Sequence, residues 1–206
     1  MLLTTELRWF YPGTPPEKVT HWFKEHAPGE VLGTPETRED LYLVIPGADY
    51  LNVKLRHDRL EIKWRQEILG VEQVGDRWSG QLEKWGKCIC EELSAQVPEN
   101  AVETGTWVGV EKTRSQRTYH FLGDSVESVR ENQWVPQGCN VELTQVKVRD
   151  RHWWSVGLEA FGEAESLWKN LQMTAQLVGE SYGEEPAFLP QNSFAYPHWL
   201  SVVLTA

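Results

Sequence analysis

The sequence predicts an α+β fold, mainly β: eight antiparallel strands that close or nearly close into a barrel, with a few covering helices. Three observations predict it. Segments with β-type alternation recur along nearly the whole chain, separated by polar breaks. Only two segments carry helical periodicity. In the hairpin over residues 51–65, all apolar side chains share one face and the charged ones share the other. At 206 residues the chain is expected to form a single domain, 1–206, long enough to bury roughly 70% of the surface an unfolded chain exposes.

In chain order, the first strand is Leu3–Phe10. A short helix follows Thr14. Thr14-Pro15-Pro16-Glu17 has capping-box spacing with proline at the first turn, Val19, Trp22 and Phe23 form one helical face, and Pro28-Gly29 ends it. Strands are predicted at Leu41–Ile45, Leu51–Arg56, Leu60–Arg65, Thr106–Arg114, Arg117–Leu122, Asn140–Val148 and Trp153–Phe161. A second helix is predicted over Glu163 to Val178, where Ala164, Leu167, Trp168, Leu171, Ala175 and Val178 fall on one stripe. No internal repeat, low-complexity tract or long linker interrupts the pattern.

Lys+Arg number 20 against 30 Asp+Glu, a formal net charge of -10. That balance argues against a nucleic-acid or anionic-membrane partner unless the basic groups are spatially sorted. MLLTTELRWF has no basic region before an apolar core, and no window approaches the length of an apolar membrane span, so a cytoplasmic protein is expected. The acid excess suits a monomer, with a homodimer the alternative. Three cysteines, two of them at Cys88 and Cys90, do not make a disulfide framework, and the six histidines lack metal-ligand spacing. Phosphate-loop, dinucleotide and nucleophile-elbow motifs are absent. The eleven tryptophans read as core.

The basic groups are sorted. In YLNVKLRHDRLEIKWR, residues 50–65, a tight turn at His57-Asp58 pairs Leu55 with Leu60, Val53 with Ile62 and Lys54 with Glu61. From Lys54 to Arg65 the chain carries Lys54, Arg56, Arg59, Lys63 and Arg65 against Asp58 and Glu61. The same bias returns at VEKTRSQR, with Lys112, Arg114 and Arg117. A solvated strand face more often mixes signs; cations converging from neighbouring strands need an anion to relieve their repulsion, and phosphate oxygens suit Arg forks and Lys point charges.

Several segments, taken in order, resemble the CYTH superfamily of triphosphate tunnel enzymes. They are Thr4-Thr5-Glu6-Leu7-Arg8, Asp40-Leu41-Tyr42-Leu43, Asn52-Val53-Lys54-Leu55-Arg56, Leu60-Glu61-Ile62-Lys63-Trp64-Arg65, Val110-Glu111-Lys112-Thr113-Arg114, the strand with Glu142, and Val156-Gly157-Leu158-Glu159. Ser193 to Leu200 looks like the family's closing Ser-Tyr-x-x-x-Leu segment. The resemblance covers nearly the whole chain. It implies a triphosphate-tunnel barrel in which Arg8, Lys54, Arg56, Lys63, Arg65, Lys112, Arg114 and Arg117 grip a triphosphate or related phosphorylated anion. It also implies that Glu6, Glu142 and Glu159 serve catalysis, with Glu6 and Glu159 holding Mg or Mn for in-line hydrolysis.

The chain departs from the family at the acidic positions. Where the family opens with Glu-x-Glu-x-Lys this chain has Thr4, Glu6 and Arg8, and where it later has Glu-x-Glu this chain has Gly157 and Glu159. Losing two carboxylates weakens a magnesium site. Three readings follow: a metal-dependent triphosphatase, a non-catalytic phosphate or polyphosphate-binding module, or a lipocalin-like barrel for an apolar or chromophoric ligand. The last draws on Ser115-Gln116-Arg117-Thr118, similar to a segment of phycobilin lyases. For each glutamate the competing role is an internal ion pair, favoured for Glu61 opposite Lys54. The direction of the hairpin faces separates the readings, because an apolar ligand needs Leu51, Val53, Ile62 and Trp64 inside.

Overall fold

The computed structural model describes residues 1–56, 59–74, 77–90, 105–123, 125–183 and 186–205. Its strands are β1 (Leu2–Pro12), β2 (Glu36–Leu43), β3 (Leu51–Arg56), β4 (Arg59–Val74), β5 (Trp78–Cys90), β6 (Trp107–Leu122), β7 (Ser125–Ser128), β8 (Gly138–Val148) and β9 (Arg151–Phe161). Helix α1 (Glu17–His21) runs on into a π-helical turn over Trp22–His26. Helices α2 (Leu167–Glu180) and α3 (Tyr196–Thr205) follow β9. All strand pairings are antiparallel, in the order β2-β3-β4-β5-β1-β9-β8-β6, and β6 pairs with β2 to close an eight-stranded barrel. β7 extends β6 outside the closure. The predicted α+β, mainly β, closed barrel is what the chain forms.

Strand alternation gives the barrel two different cores. Outward-facing Leu7, Trp9, Tyr119, Cys139, Val141, Val156 and Leu158 pack beneath α1 and α2. Inward-facing Phe10, Tyr42, Val108, Val110, Val146 and Val148 pack against Trp199, Leu200 and Val203 of α3. The inner face therefore changes character along each strand. On β6 it runs Val108, Val110, Lys112, Arg114; on β8 it runs back through Asn140, Glu142, Thr144, Val146, Val148; on β1 it runs Glu6, Arg8, Phe10. One end of the interior is apolar and plugged by α3. The other is charged.

The predicted hairpin register is correct: Leu55 pairs with Leu60, Val53 with Ile62 and Lys54 with Glu61, while the turn at His57-Asp58 lies outside the described residues. Other expectations need correction. The capping box at Thr14 is not made; Pro16 caps α1 with no side-chain hydrogen bond. β6 is one strand where two were predicted, because β8 pairs with it from Glu111 to Tyr119 without a break. β2 begins at Glu36, and β5 and α3 were not predicted. The outer residues Leu51, Val53, Leu55, Leu60, Ile62 and Trp64 are half-buried, and none is in either of these cores. Among the described residues, no helix is long and apolar enough to cross a membrane.

The plug generates a stability prediction. Trp199 is fully buried and stacks on Phe10 with ring centroids 5.0 Å apart. Trp199→Ala is expected to cost about 3–5 kcal/mol, read as a lower urea midpoint at unchanged slope. A cost below about 1 kcal/mol would mean that α3 does not plug the barrel.

Candidate functional site: a charged cavity inside the barrel

Above the plug lies a cavity of ≈ 200 Å³. Eight lysine and arginine side chains line it, Arg8, Arg38, Lys54, Arg56, Lys63, Lys87, Lys112 and Arg114, against four carboxylates, Glu6, Glu61, Glu142 and Glu159. Its floor includes Tyr196 and the start of α3. Leu51, Val53, Ile62 and Trp64 face away from it, which removes the basis for an apolar-ligand barrel. The apolar cluster that includes Trp199, Leu200 and Val203 of α3 occupies one end of the interior, and the charged cavity lies beyond it.

Two predicted anion-binding residues lie elsewhere. Arg117 points outward, where its guanidinium donates to the carbonyls of Phe23 (2.7 and 3.0 Å), Lys24 (3.0 Å), Pro28 (3.2 Å) and Gly29. It is buried, and it satisfies backbone carbonyls at and just beyond the end of the first helix. Arg65 faces inward but is held by Glu83 at 3.1 Å and Asp49 at 3.2 Å beside Trp85, outside the cavity lining.

The cations are organised around Asp40, which is fully buried. Arg56 grips it with two hydrogen bonds, 2.8 and 3.1 Å. Arg38 donates at 3.2 Å, Lys112 lies at 3.2 Å and Lys54 at 3.7 Å. Burial alone would raise the Asp40 carboxyl; the Arg56 bonds and the two lysines outweigh it and hold it far below the usual range. Glu61 is the second hub, bridging Lys54 (3.1 Å), Lys87 (3.3 Å) and Arg56 (3.4 Å), the ion-pair role expected for it. Glu142 is the third, between Arg8 (2.7 Å) and Arg114 (3.0 Å). Both arginines overcome the effect of burial and keep it well below the ordinary carboxylate range.

Two of the cavity lysines are shifted as well. Burial, then repulsion from Lys112 and Arg56, pushes Lys54 down to about 7. Burial, with Arg56 and Arg38 opposing the pull of Asp40, pushes Lys112 down to about 7 as well. The Lys112 ammonium is within hydrogen-bond reach of the Tyr42 hydroxyl and sits 3.9 Å from the centre of the Tyr196 ring. Thr144, almost fully buried and lining the cavity, has a hydroxyl with no hydrogen-bond partner among the described residues.

Two of the three departures from the CYTH pattern, Arg8 and Gly157, meet in space. Arg8 and Gly157 are direct partners in the β1–β9 register, and a Cβ on Gly157 would lie 2.5 Å from the Arg8 guanidinium carbon. Arg8 fills the space above the glycine and reaches past it to Glu142. At the other departure, Thr4 donates its hydroxyl to Glu6 at 2.7 Å. Lys63 joins Glu6 (2.5 Å) to Glu159 (3.3 Å), and both carboxylates raise it above the ordinary lysine value despite burial. Mg or Mn asks for about six oxygen ligands. Glu6 and Glu159 are already closed on an ammonium, and among the described residues no group of three or more metal-ligating side chains comes together. With Lys63 seated between Glu6 and Glu159, the donor set does not fit a divalent ion.

Arg38, Asp40, Lys87 and Thr144 belong to the site and were not among the predicted site residues. Lys87 lies on β5, where inward Gln81, Glu83, Trp85 and Lys87 alternate with Gly80, Leu82, Lys84 and Gly86. Charge on both faces cancels the period-two signal. Among known proteins, no family model matches the chain, and no curated protein matches its sequence.

Two predictions follow from the geometry. Asp40→Asn leaves the surrounding cations without their common anion and is expected to cost about 3–5 kcal/mol in urea denaturation; an unchanged midpoint would show that Asp40 does not hold them. Gly157→Ala is expected to cost about 1–3 kcal/mol through overpacking. Its cost should nearly vanish in an Arg8→Ala background, and equal costs in both would refute the coupling.

Proposed function

We propose that the barrel interior binds a small phosphorylated anion of the triphosphate class, entering from the end opposite α3. One observation carries this reading: eight basic side chains converge on one cavity against five carboxylates, the four that line it and the buried Asp40 behind them, in a chain whose net charge is -10. Like charges held this close repel, and an anion that many of them touch at once relieves the repulsion. Arg8, Arg38, Arg56 and Arg114 supply forked donors, and Lys54, Lys63 and Lys112 supply compact charges. The unpartnered Thr144 hydroxyl and the amino-terminal end of α3 suit the same ligand.

The order of the strand motifs and the eight-stranded closure support a further part of the proposal, that the chain is a divergent CYTH-like protein. Binding, and not hydrolysis, is the activity proposed, because the carboxylates at the cavity are committed to arginine and lysine partners. A cytoplasmic location, where its three free thiols stay reduced, belongs to the same reading.

The test is calorimetric titration of the protein with tripolyphosphate, ATP and orthophosphate in the presence of EDTA. Binding of tripolyphosphate at one per chain is expected, weaker binding of orthophosphate, and a loss of about tenfold or more in Arg114→Ala, the scale of a charged hydrogen bond. No heat and no thermal shift with any of the three would overturn the reading.

The lysines give a pH dependence. An anion in the cavity favours the charged amines, so binding takes up protons at Lys54 and Lys112, and affinity should rise as pH falls through about 7. In the free protein the sign is the other way. Between about 7 and the ordinary lysine value of 10.5 the folded chain holds fewer protons than the unfolded chain. These two amines therefore make stability rise with pH through that window, and they cost stability below it. Proton uptake measured in buffers of different ionisation enthalpy checks the linkage; a pH-independent affinity between 6 and 8.5, roughly one unit or more on either side of these values, would contradict it.

A further inference from the structure

The interior already contains a cation at the place where a metal was expected. Glu6 of β1 and Glu159 of β9 are direct register partners and both face inward. Lys63 arrives from β4, across the width of β5, and sets its ammonium 2.5 Å from one carboxylate and 3.3 Å from the other. The surroundings reinforce that position. Thr4 donates to the Glu6 oxygen that Lys63 contacts, and Asn140 is the β8 partner of Glu159. Glu83, level with Glu6 on β5, is engaged by Arg65, Gln81 and Trp85. Two carboxylates converging on one ammonium make a site for a single cation, and a tethered side chain holds it.

We infer that the Lys63 ammonium is a built-in substitute for a divalent metal: it neutralises the Glu6 and Glu159 pair, so that anion binding proceeds without a metal, and its removal alone opens a divalent-cation site. An ammonium offers three donors. Two directions are taken by these carboxylates, and the third is available to a phosphate oxygen in the cavity that Lys63 also lines. A tethered cation competes with a free one by proximity, since its effective concentration at the pair is in the millimolar range or above. The reciprocal substitutions fit this exchange. Thr4 supplies a hydrogen bond where a ligand carboxylate was expected, and Gly157 leaves its space to Arg8.

The part of this inference concerning anions rests on the proposed function, whereas the part concerning metals does not, and the experiment keeps them apart. Full-length protein stripped with EDTA is titrated with Mn²⁺ alone, and free Mn²⁺ is read by its paramagnetic resonance signal. Wild type is expected to bind no Mn²⁺ at a specific site. Lys63→Ala and Lys63→Met are expected to bind one per chain, about 10–100-fold tighter than any wild-type binding. Lys63→Arg should remain metal-free, and Glu159→Gln in the Lys63→Ala background should abolish the gain. One specifically bound Mn²⁺ in wild type overturns the inference, as does a folded Lys63→Ala or Lys63→Met that binds no better than wild type. If neither variant folds, wild type alone decides: tripolyphosphate binding that is retained in EDTA supports the inference, and binding that appears only with Mn²⁺ overturns it. Failure of tripolyphosphate to bind under any condition sinks the proposed function and leaves the Mn²⁺ result standing.

Discussion

Confining many cations in a closed barrel is the constraint on which the rest of this molecule depends. Like charges a few ångströms apart in a partly desolvated interior repel strongly, and burying each one without a partner is costly. The chain answers with carboxylates that each serve several cations. Asp40 has no exposed surface and touches Arg38, Arg56, Lys54 and Lys112. Glu61 on β4 and Glu142 on β8 do the same, and Glu6 with Glu159 holds Lys63. Lys54 and Lys112 stay disfavoured as ammonium forms, first by burial and then by neighbouring cations; in the function proposed above, a bound anion relieves that cost.

Position along the barrel axis separates structure from function. The apolar half, closed by Phe10, Val110, Val146 and Trp199, holds the strands in register and supplies a floor for the cavity. The charged half inherits its geometry from that rigid end. Helices α1 and α2 add a second apolar core outside the wall, with Arg117 tying the end of the first helix to β6. Three layers thus hold side chains whose mutual repulsion would otherwise open the sheet.

Much of this was legible in the sequence wherever one strand face was apolar. The hairpin faces and register followed from alternation alone, and helical periodicity gave the buried stripe Leu167, Leu171, Ala175 and Val178 of α2, although the helix starts at Leu167 and leaves out Ala164. The inward switch from Val108 and Val110 to Lys112 and Arg114 was also on the page, although its meaning as a closed end needed the strand order. Legibility failed where both faces are polar. β2 starts among Glu36, Arg38 and Asp40, whose inward charges and exposed neighbours leave no apolar rhythm, and β5 fails likewise around Glu83 and Lys87. Arg117 shows the opposite error. Its type suggested a ligand for anions, but its parity on β6 puts it outside, among backbone carbonyls. The pairing of Arg8 with Gly157 was unreadable for another reason: two substitutions distant in sequence share one volume only after β1 and β9 pair.

If the cavity is an anion receptor, its own lysines should report the ligand. Lys54 lines the cavity, and its depressed ammonium leaves a nucleophilic amine near neutral pH, while Lys18, Lys24 and Lys169 are exposed outside the barrel. The direct measurement is mass-spectrometric amine labelling of each lysine with and without tripolyphosphate. The account predicts strong protection of Lys54 with labelling of Lys18, Lys24 and Lys169 unchanged. Equal labelling of Lys54 in both conditions, or uniform protection of interior and surface lysines alike, would contradict it.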